Sequence, residues 1–273
     1  MKKFLSVLII ISVGLCLPAA DSIRAVSLAP ALTETAVYLG AFSALVGRST
    51  ACDYPPEVKK LPVTGHFGRP ELEKILTLKP DLVMVNDVMN SNILRKLQSL
   101  NITVKQQQIR NVDDYLLWVD FMGKNLNCQT AAGAEKLRTK KLQQQLSAAP
   151  PLPIKVLWIV NYRPMIVAGR DSLPDYVLKL CGVKNAADIF DQEYVKISAE
   201  WLLSTPLDMI ILPETDIKLR EERIWRQIDA VKKSRIIFHA AADPLTRPGP
   251  RWLPAVINLR KNIEALHSAI KKE

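Results

Sequence analysis

The sequence predicts an α/β protein of two lobes, each built on a parallel sheet, joined by a single long helix. Three observations carry this: a motif that occurs twice, an alternation of strand and helix signals in both halves, and an unbroken helix-forming stretch between them. The first copy of the motif runs from Glu73 through Ile75-Leu76 to Pro80-Asp81 and the apolar run Leu82-Val83-Met84-Val85. The second runs from Glu200 through Leu202-Leu203 to Pro206 and Asp208, then Met209-Ile210-Ile211-Leu212. In both, Asp follows Glu by eight residues, while the proline slips by one. Each copy reads as a short helix, a proline break and a buried strand. Two copies 127 residues apart imply two similar lobes.

Taken in order, the chain opens with a strand at Ala25-Val26-Ser27-Leu28 that ends at Ala29-Pro30. A helix follows from Thr33-Glu34 through Tyr38-Leu39, stopped by Gly40. Leu45-Val46-Gly47 is a second short strand. Prolines at 55 and 56 exclude regular structure from the loop Cys52-Asp53-Tyr54. The loop Gly65-His66-Phe67-Gly68-Arg69-Pro70 leads into the first motif helix. A helix over 91–99 and a strand over 102–106 complete a β-α-β-α alternation, the pattern of a parallel sheet wrapped by helices. Apolar residues then recur at helical spacing from Val112 to Leu126. From Gln129 to Ala148 the composition is strongly helix-forming, with no proline and no glycine after Gly133. Pro150-Pro151-Leu152-Pro153 ends it. This is the single helix joining the halves, placed at 126–148, between lobes at 22–125 and 153–273.

The second half restarts with a strand at 155–160, a turn at Asn161-Tyr162-Arg163-Pro164 and a strand from Met165 to Ala168. Gly169-Arg170-Asp171-Ser172 precedes a helix through Leu180. Ser198 caps the second motif helix. The strand 209–212, a last strand at 236–238, a proline-rich loop from Pro244 to Arg251 and a closing helix over 252–270 finish the chain.

Composition narrows the class. Hydrophobic residues make up 48 % of the 273 residues, enough to bury a core in each half. Lys2-Lys3, the apolar run Phe4 to Leu17 and the small residues Pro18-Ala19-Ala20 form a signal peptide, 1–20, cut after Ala19 or Ala20. The run is short for a membrane span. Lipid attachment at Cys16 is disfavoured because Leu15 precedes it. Removal of 1–20 leaves 35 basic against 27 acidic side chains, a formal charge of +8. The basic residues are scattered and no nucleic-acid motif accompanies them, so nucleic acid is not the partner. Three cysteines remain, Cys52, Cys128 and Cys181. An odd number leaves one thiol unpaired, and Cys181 reads as a small core residue.

Enzyme signatures are missing: there is no glycine-rich phosphate loop, no nucleophile elbow and no His-Glu-x-x-His pair. No cysteine or histidine cluster has zinc spacing. Of the three histidines, His267 reads as a solvated residue of the closing helix. His66 beside Phe67 stands at the mouth of a lobe, suited to a flat apolar molecule.

Several segments carry a resemblance. Cys52-Asp53-Tyr54-Pro55-Pro56-Glu57-Val58-Lys59-Lys60-Leu61-Pro62-Val63-Thr64-Gly65, Leu72-Glu73-Lys74-Ile75 and Leu78-Lys79-Pro80-Asp81-Leu82-Val83 form one half of it. Gly169-Arg170-Asp171-Ser172, Leu180-Cys181-Gly182-Val183-Lys184-Asn185, Ser198-Ala199-Glu200 and Arg247-Pro248-Gly249-Pro250-Arg251 form the other. In this order they resemble the periplasmic substrate-binding proteins of ABC importers. The class is the one whose lobes are joined by one rigid helix and which serves cobalamin, iron–siderophore complexes and haem; the cobalamin-binding proteins are the nearest kind. The resemblance implies a monomer without catalytic residues or resident cofactor or metal, exported to the periplasm. It implies a ligand such as cobalamin or a related metal chelate, and a membrane permease as partner. It implies that Glu73 and Glu200 dock into permease arginines, and both are expected on the outer end of their lobe, facing solvent and away from ligand. Ligands of parallel α/β lobes sit beyond the carboxyl ends of the strands. That places Asp53-Tyr54, His66-Phe67, Asn86-Asp87, Asn161-Tyr162-Arg163 and the segment from Asp243 to Arg247 around the cleft, with Trp252 as a further aromatic wall. Ala51 and Asn86 stand where cobalamin binders place large aromatics, and Arg69, Arg163 and Arg247 could clamp carboxylates. A ferric siderophore or haem binder is therefore the alternative, and a chelatase-type enzyme on a similar fold the rival from another class.

Overall fold

A computed structural model describes residues 23–85, 91–213, 223–239 and 244–270. The first lobe begins with β1 (Ala25–Ser27), α1 (Pro30–Tyr38) and β2 (Leu45–Arg48). The helix starts earlier than Thr33: Pro30 occupies its first turn, where a missing N–H costs nothing and the fixed φ suits a helix. The short strands β3 (Gly65–His66) and β4 (Arg69–Pro70) pair antiparallel. Then come α2 (Leu72–Thr77), β5 (Leu82–Val85), α3 (Ser91–Ser99) and β6 (Thr103–Gln106). The sheet order is β2-β1-β5-β6, with every pair parallel. Leu82, Val83, Met84 and Val85 are all buried, because helices cover both faces of this sheet. Ile75, Leu94 and Leu97 pack one face and Leu32, Ala36, Val112 and Tyr115 the other.

The stretch between the sheets is two helices, α4 (Val112–Asn125) and α5 (Gln129–Ser147). The helix expected at 126–148 therefore begins at Gln129. Leu126 caps α4 and Asn127 takes a left-handed φ of 54°, which turns the chain back on itself. The two helices lie close: a Cβ on Gly123 would sit 2.7 Å from the Ala132 Cβ, so glycine is what lets them meet. By its 19 residues α5 spans about 28 Å.

The second lobe contains β7 (Lys155–Tyr162), β8 (Met165–Ala168), α6 (Leu173–Leu180), β9 (Lys184–Asn185), β10 (Tyr194–Lys196), α7 (Ala199–Ser204), β11 (Met209–Pro213), α8 (Asp229–Lys232), β12 (Ile236–His239) and α9 (Trp252–Ile270). Its order is β10-β8-β7-β11-β12, with β9 beside β7. Strands β7, β11 and β12 are parallel, and β8 and β10 extend them as antiparallel additions. β7 runs on to Tyr162, so the expected turn at 161–164 is confined to Arg163-Pro164. One hydrophobic core includes Leu32 and Met84 of the first lobe, Ala132 and Leu146 of α5, and Trp158, Ile211, Trp252 and Val256 of the second. The lobes and their joint are thus packed together without a break. No helix of the described residues is long and apolar enough to cross a membrane.

Candidate functional site

The motif that occurs twice does the same structural work in both lobes. The Asp81 carboxylate accepts from the Arg24 backbone N–H at 2.8 Å, and the Asp81 N–H donates to the Arg24 carbonyl at 2.9 Å. The Asp208 carboxylate accepts from the Lys155 N–H at 2.7 Å, and its own N–H donates to the Lys155 carbonyl at 3.0 Å. Each aspartate thereby ties the loop before its strand to the amino end of the neighbouring strand.

The other end of the motif lies at the opposite edge of the sheet. The Glu71 N–H donates to Thr64, whose own N–H donates to Arg48, the last residue of β2. In the second lobe Lys196 stands opposite Ile166, which stands opposite Asn161 near the end of β7. Glu73 and Glu200 are therefore on the carboxyl rim of their sheets, the same end as the cleft loops. The expectation of an outer end facing away from ligand is corrected: a helix that feeds a parallel strand starts where that strand finishes. Both glutamates are exposed. Ser198 caps α7 by accepting from the Trp201 N–H at 3.2 Å. Glu200's own N–H, with Ser198 beside it, holds that carboxyl below the usual range. Among the described residues Glu73 has no ion pair or hydrogen-bonded partner.

At this rim the lobes enclose a cavity of about 240 Å³, lined by Pro30, Ala31, Ala51 and Phe67 from the first lobe and Thr246, Arg247 and Pro248 from the second. Phe67 rides on the hairpin tip between β3 and β4. Gly65 makes that hairpin possible: its φ is 119°, and a Cβ there would meet three backbone atoms at 2.8 Å. Arg48 holds the preceding loop by donating to the carbonyls of Ser49 and Cys52, both at 3.1 Å.

The segment 247–251 is a strap that the first lobe grips twice. Arg247 Nη1 pairs with Asp53 Oδ1 at 2.7 Å. Arg251 makes a two-pronged contact with Glu34, at 2.8 and 2.6 Å, and that carboxylate keeps its guanidinium firmly protonated. The Tyr54 ring covers the same guanidinium, 3.5 Å from centroid to carbon. Arg138 of α5 also donates to the strap, at the Pro250 carbonyl. It also pairs with Glu135, whose side chain is 0 % exposed and accepts from the Tyr115 hydroxyl at 2.8 Å.

The expected ligand residues divide. Phe67 and Arg247 converge on the cavity. His66 is exposed beside it, its Nδ1 3.3 Å from the Thr50 hydroxyl. Tyr54 lies on the far side of the strap, in a second cavity of about 410 Å³ with Tyr38, Arg138 and Pro254. Tyr162 packs edge-on against Trp225, with its hydroxyl 3.4 Å from the Pro213 carbonyl, and Arg163 sits in the exposed turn next to it. Neither lines the cavity. Trp252 is corrected outright: it is 0 % exposed and stacked on Tyr176, a core residue that offers no wall to a ligand. His267 is likewise not solvated, since both ring nitrogens are buried. Asn86 lies outside the described residues. Among those described, no three of His, Cys, Asp and Glu cluster as a metal site, and Cys52, Cys128 and Cys181 are unpaired thiols. Burial pushes the Cys181 thiol up to about 12.

Comparisons with known proteins bear on the whole arrangement. The chain is 31 % identical to a vitamin B12-binding protein of Vibrio cholerae over 242 residues, 85 % of this chain and 86 % of that one. The solved periplasmic vitamin B12-binding protein BtuF of Vibrio cholerae superposes with a TM-score of 0.77 at 27 % identity, covering 89 % and 97 % of the two chains. The periplasmic haem-binding protein HutB of the same organism also gives 0.77, at 24 % identity and 88 % and 98 % coverage. That likeness is one of fold alone. Residues 26–241 match the family model described as periplasmic binding protein. With its two lobes, its joining helix and a cavity drawn from both sides, the chain belongs to the periplasmic binding protein family.

Proposed function

We propose that this chain is the substrate-binding subunit of an ABC importer, which captures cobalamin or a related metal chelate between its lobes and delivers it to the permease. The observation that carries the reading is the pairing at the rim. Two exposed carboxylates stand at equivalent positions, one on each lobe, at the end where a cavity draws on both lobes. Two separated charged contacts register a partner and fix its orientation, and they place ligand and permease on the same side of the molecule. The likeness to the vitamin B12-binding protein of Vibrio cholerae favours a corrinoid. A cavity of about 240 Å³ is below the roughly 300–1,000 Å³ that envelops a drug-sized molecule, so it serves as a floor under a larger ligand. On this reading the lobes are 22–125 and 153–273, with 126–148 as the joint, and the monomer reaches the periplasm after loss of residues 1–20.

Haem is the second reading, since a guanidinium in the cavity wall can pair with a carboxylate. Thermal unfolding separates them. A ligand at a hundred times its dissociation constant stabilises by about 2.7 kcal/mol, or roughly 5–10 °C for a chain of this size. Cyanocobalamin is expected to give that rise. A rise with haemin and none with cyanocobalamin would replace the corrinoid.

A further inference from the structure

Among the described residues Arg247 is the guanidinium that lines the interlobe cavity, and it does not enter it as a free cation. Its Nη1 is 2.7 Å from the Asp53 carboxylate across the lobe boundary. The arginine side chain is 18 % exposed and the aspartate 42 %, so Arg247 is sunk in the wall while Asp53 stands beside it within reach of solvent. Its neighbours Pro30, Ala31, Ala51, Phe67 and Pro248 carry no side-chain charge. Among the described residues, the positive group that lines the cavity is thus held from behind the lining by a negative one. The other arginine of the strap, Arg251, is occupied by both oxygens of Glu34 and covered by Tyr54.

A ligand carboxylate that approaches Arg247 meets the Asp53 carboxylate on the same nitrogen. It must displace that group or lie against it, and like charges in contact are unfavourable where solvent screening is partial. A neutral carboxamide has no such conflict: its carbonyl can accept from the remaining guanidinium N–H groups and its NH₂ can donate to Asp53. Discrimination of this kind works by penalising the wrong partner as much as by attracting the right one.

We propose that Asp53, through its ion pair with Arg247, sets the charge selectivity of this cavity, admitting chelates whose periphery presents neutral amides and turning away those that present carboxylates. The proposal rests on the reading of the cavity as the ligand site.

The test titrates purified full chain with cyanocobalamin, with its monocarboxylic acids (one side-chain amide hydrolysed, the corrin otherwise unchanged) and with haemin as a dianionic chelate. The wild-type protein is expected to bind at least one monocarboxylic acid about tenfold more weakly than cyanocobalamin. Asp53→Asn removes the charge and keeps the shape. It is expected to erase the difference between cyanocobalamin and its monocarboxylic acids and to strengthen haemin binding. The double variant Asp53→Asn, Arg247→Gln is expected to lose the gain, which locates it at the guanidinium. Equal binding of cyanocobalamin and every monocarboxylic acid by the wild type overturns the role of Asp53 and leaves the ligand site standing. Cyanocobalamin binding untouched by Phe67→Ala and Arg247→Gln overturns the site and the proposal together. Tighter wild-type binding of haemin than of cyanocobalamin overturns the proposal and the corrinoid reading as well.

Discussion

Laid over one another, the two copies of the Glu-to-Asp motif agree at one end and differ at the other. Asp81 and Asp208 make the same pair of backbone contacts at the amino end of the adjacent strand, to Arg24 just before β1 and to Lys155 at the start of β7, with distances between 2.7 and 3.0 Å. At the helix start they diverge. Ser198 caps α7 with its side chain, whereas α2 follows Glu71 with no side-chain cap and carries an exposed Glu71–Lys74 ion pair at 2.8 Å. Between these ends Glu73 and Glu200 hold equivalent rim positions by different local means. The aspartate is accounted for by the fold. The glutamate is not, because among the described residues neither lobe uses it for packing or for a contact with a neighbouring element. On the proposed reading, that position makes its contact outside the chain.

Substitutions sharpen this contrast, and the largest effect falls outside both copies. Arg138→Ala leaves the buried Glu135 carboxylate without its cation, and an unpaired buried charge costs about 3–5 kcal/mol. Denaturant unfolding is expected to show that loss, and a change under 1 kcal/mol would mean that Glu135 takes up a proton or finds water. Next come Asp81→Ala and Asp208→Ala, each expected to cost roughly 1–3 kcal/mol. The two losses should match, and unequal values would break the structural equivalence. Ser198→Ala should cost about 1 kcal/mol, with no counterpart in the first lobe. The smallest effects belong to Glu73→Ala and Glu200→Ala, within about 0.5 kcal/mol by the same assay, as befits exposed side chains. A larger loss at either would give that glutamate a structural role after all.

Strands and helices were legible wherever one period dominated: the runs at 82–85 and 209–212 stand in the structure as β5 and the core of β11. Boundaries set by single residues were not. Pro30 reads as a break, yet it begins α1, and nothing in the spacing announces the left-handed turn at Asn127 that divides α4 from α5. For the site, Phe67 and Arg247 could be named from their loops, but the partner of Arg247 could not. Asp53 is 194 residues away, and the ion pair exists only because the lobes pack together. Trp252 failed for the same reason in reverse. An aromatic residue beside a proline-rich loop suits a cleft wall, and only its packing on Tyr176 shows that it opens a buried helix face. The double aspartate contact was hinted at by the constant eight-residue spacing, although spacing alone does not say what the carboxylate binds.

The central claim is that the rim glutamates serve the partner and not the ligand. Its most direct measurement uses the double variant Glu73→Lys, Glu200→Lys, with cyanocobalamin affinity and complex formation with the detergent-solubilised permease and ATPase measured side by side. Truncating a charge pair buried by docking costs roughly 2–5 kcal/mol, and reversal adds repulsion at both lobes. The account predicts unchanged cyanocobalamin affinity and no detectable permease complex; a variant that binds the permease as the wild type does would contradict it.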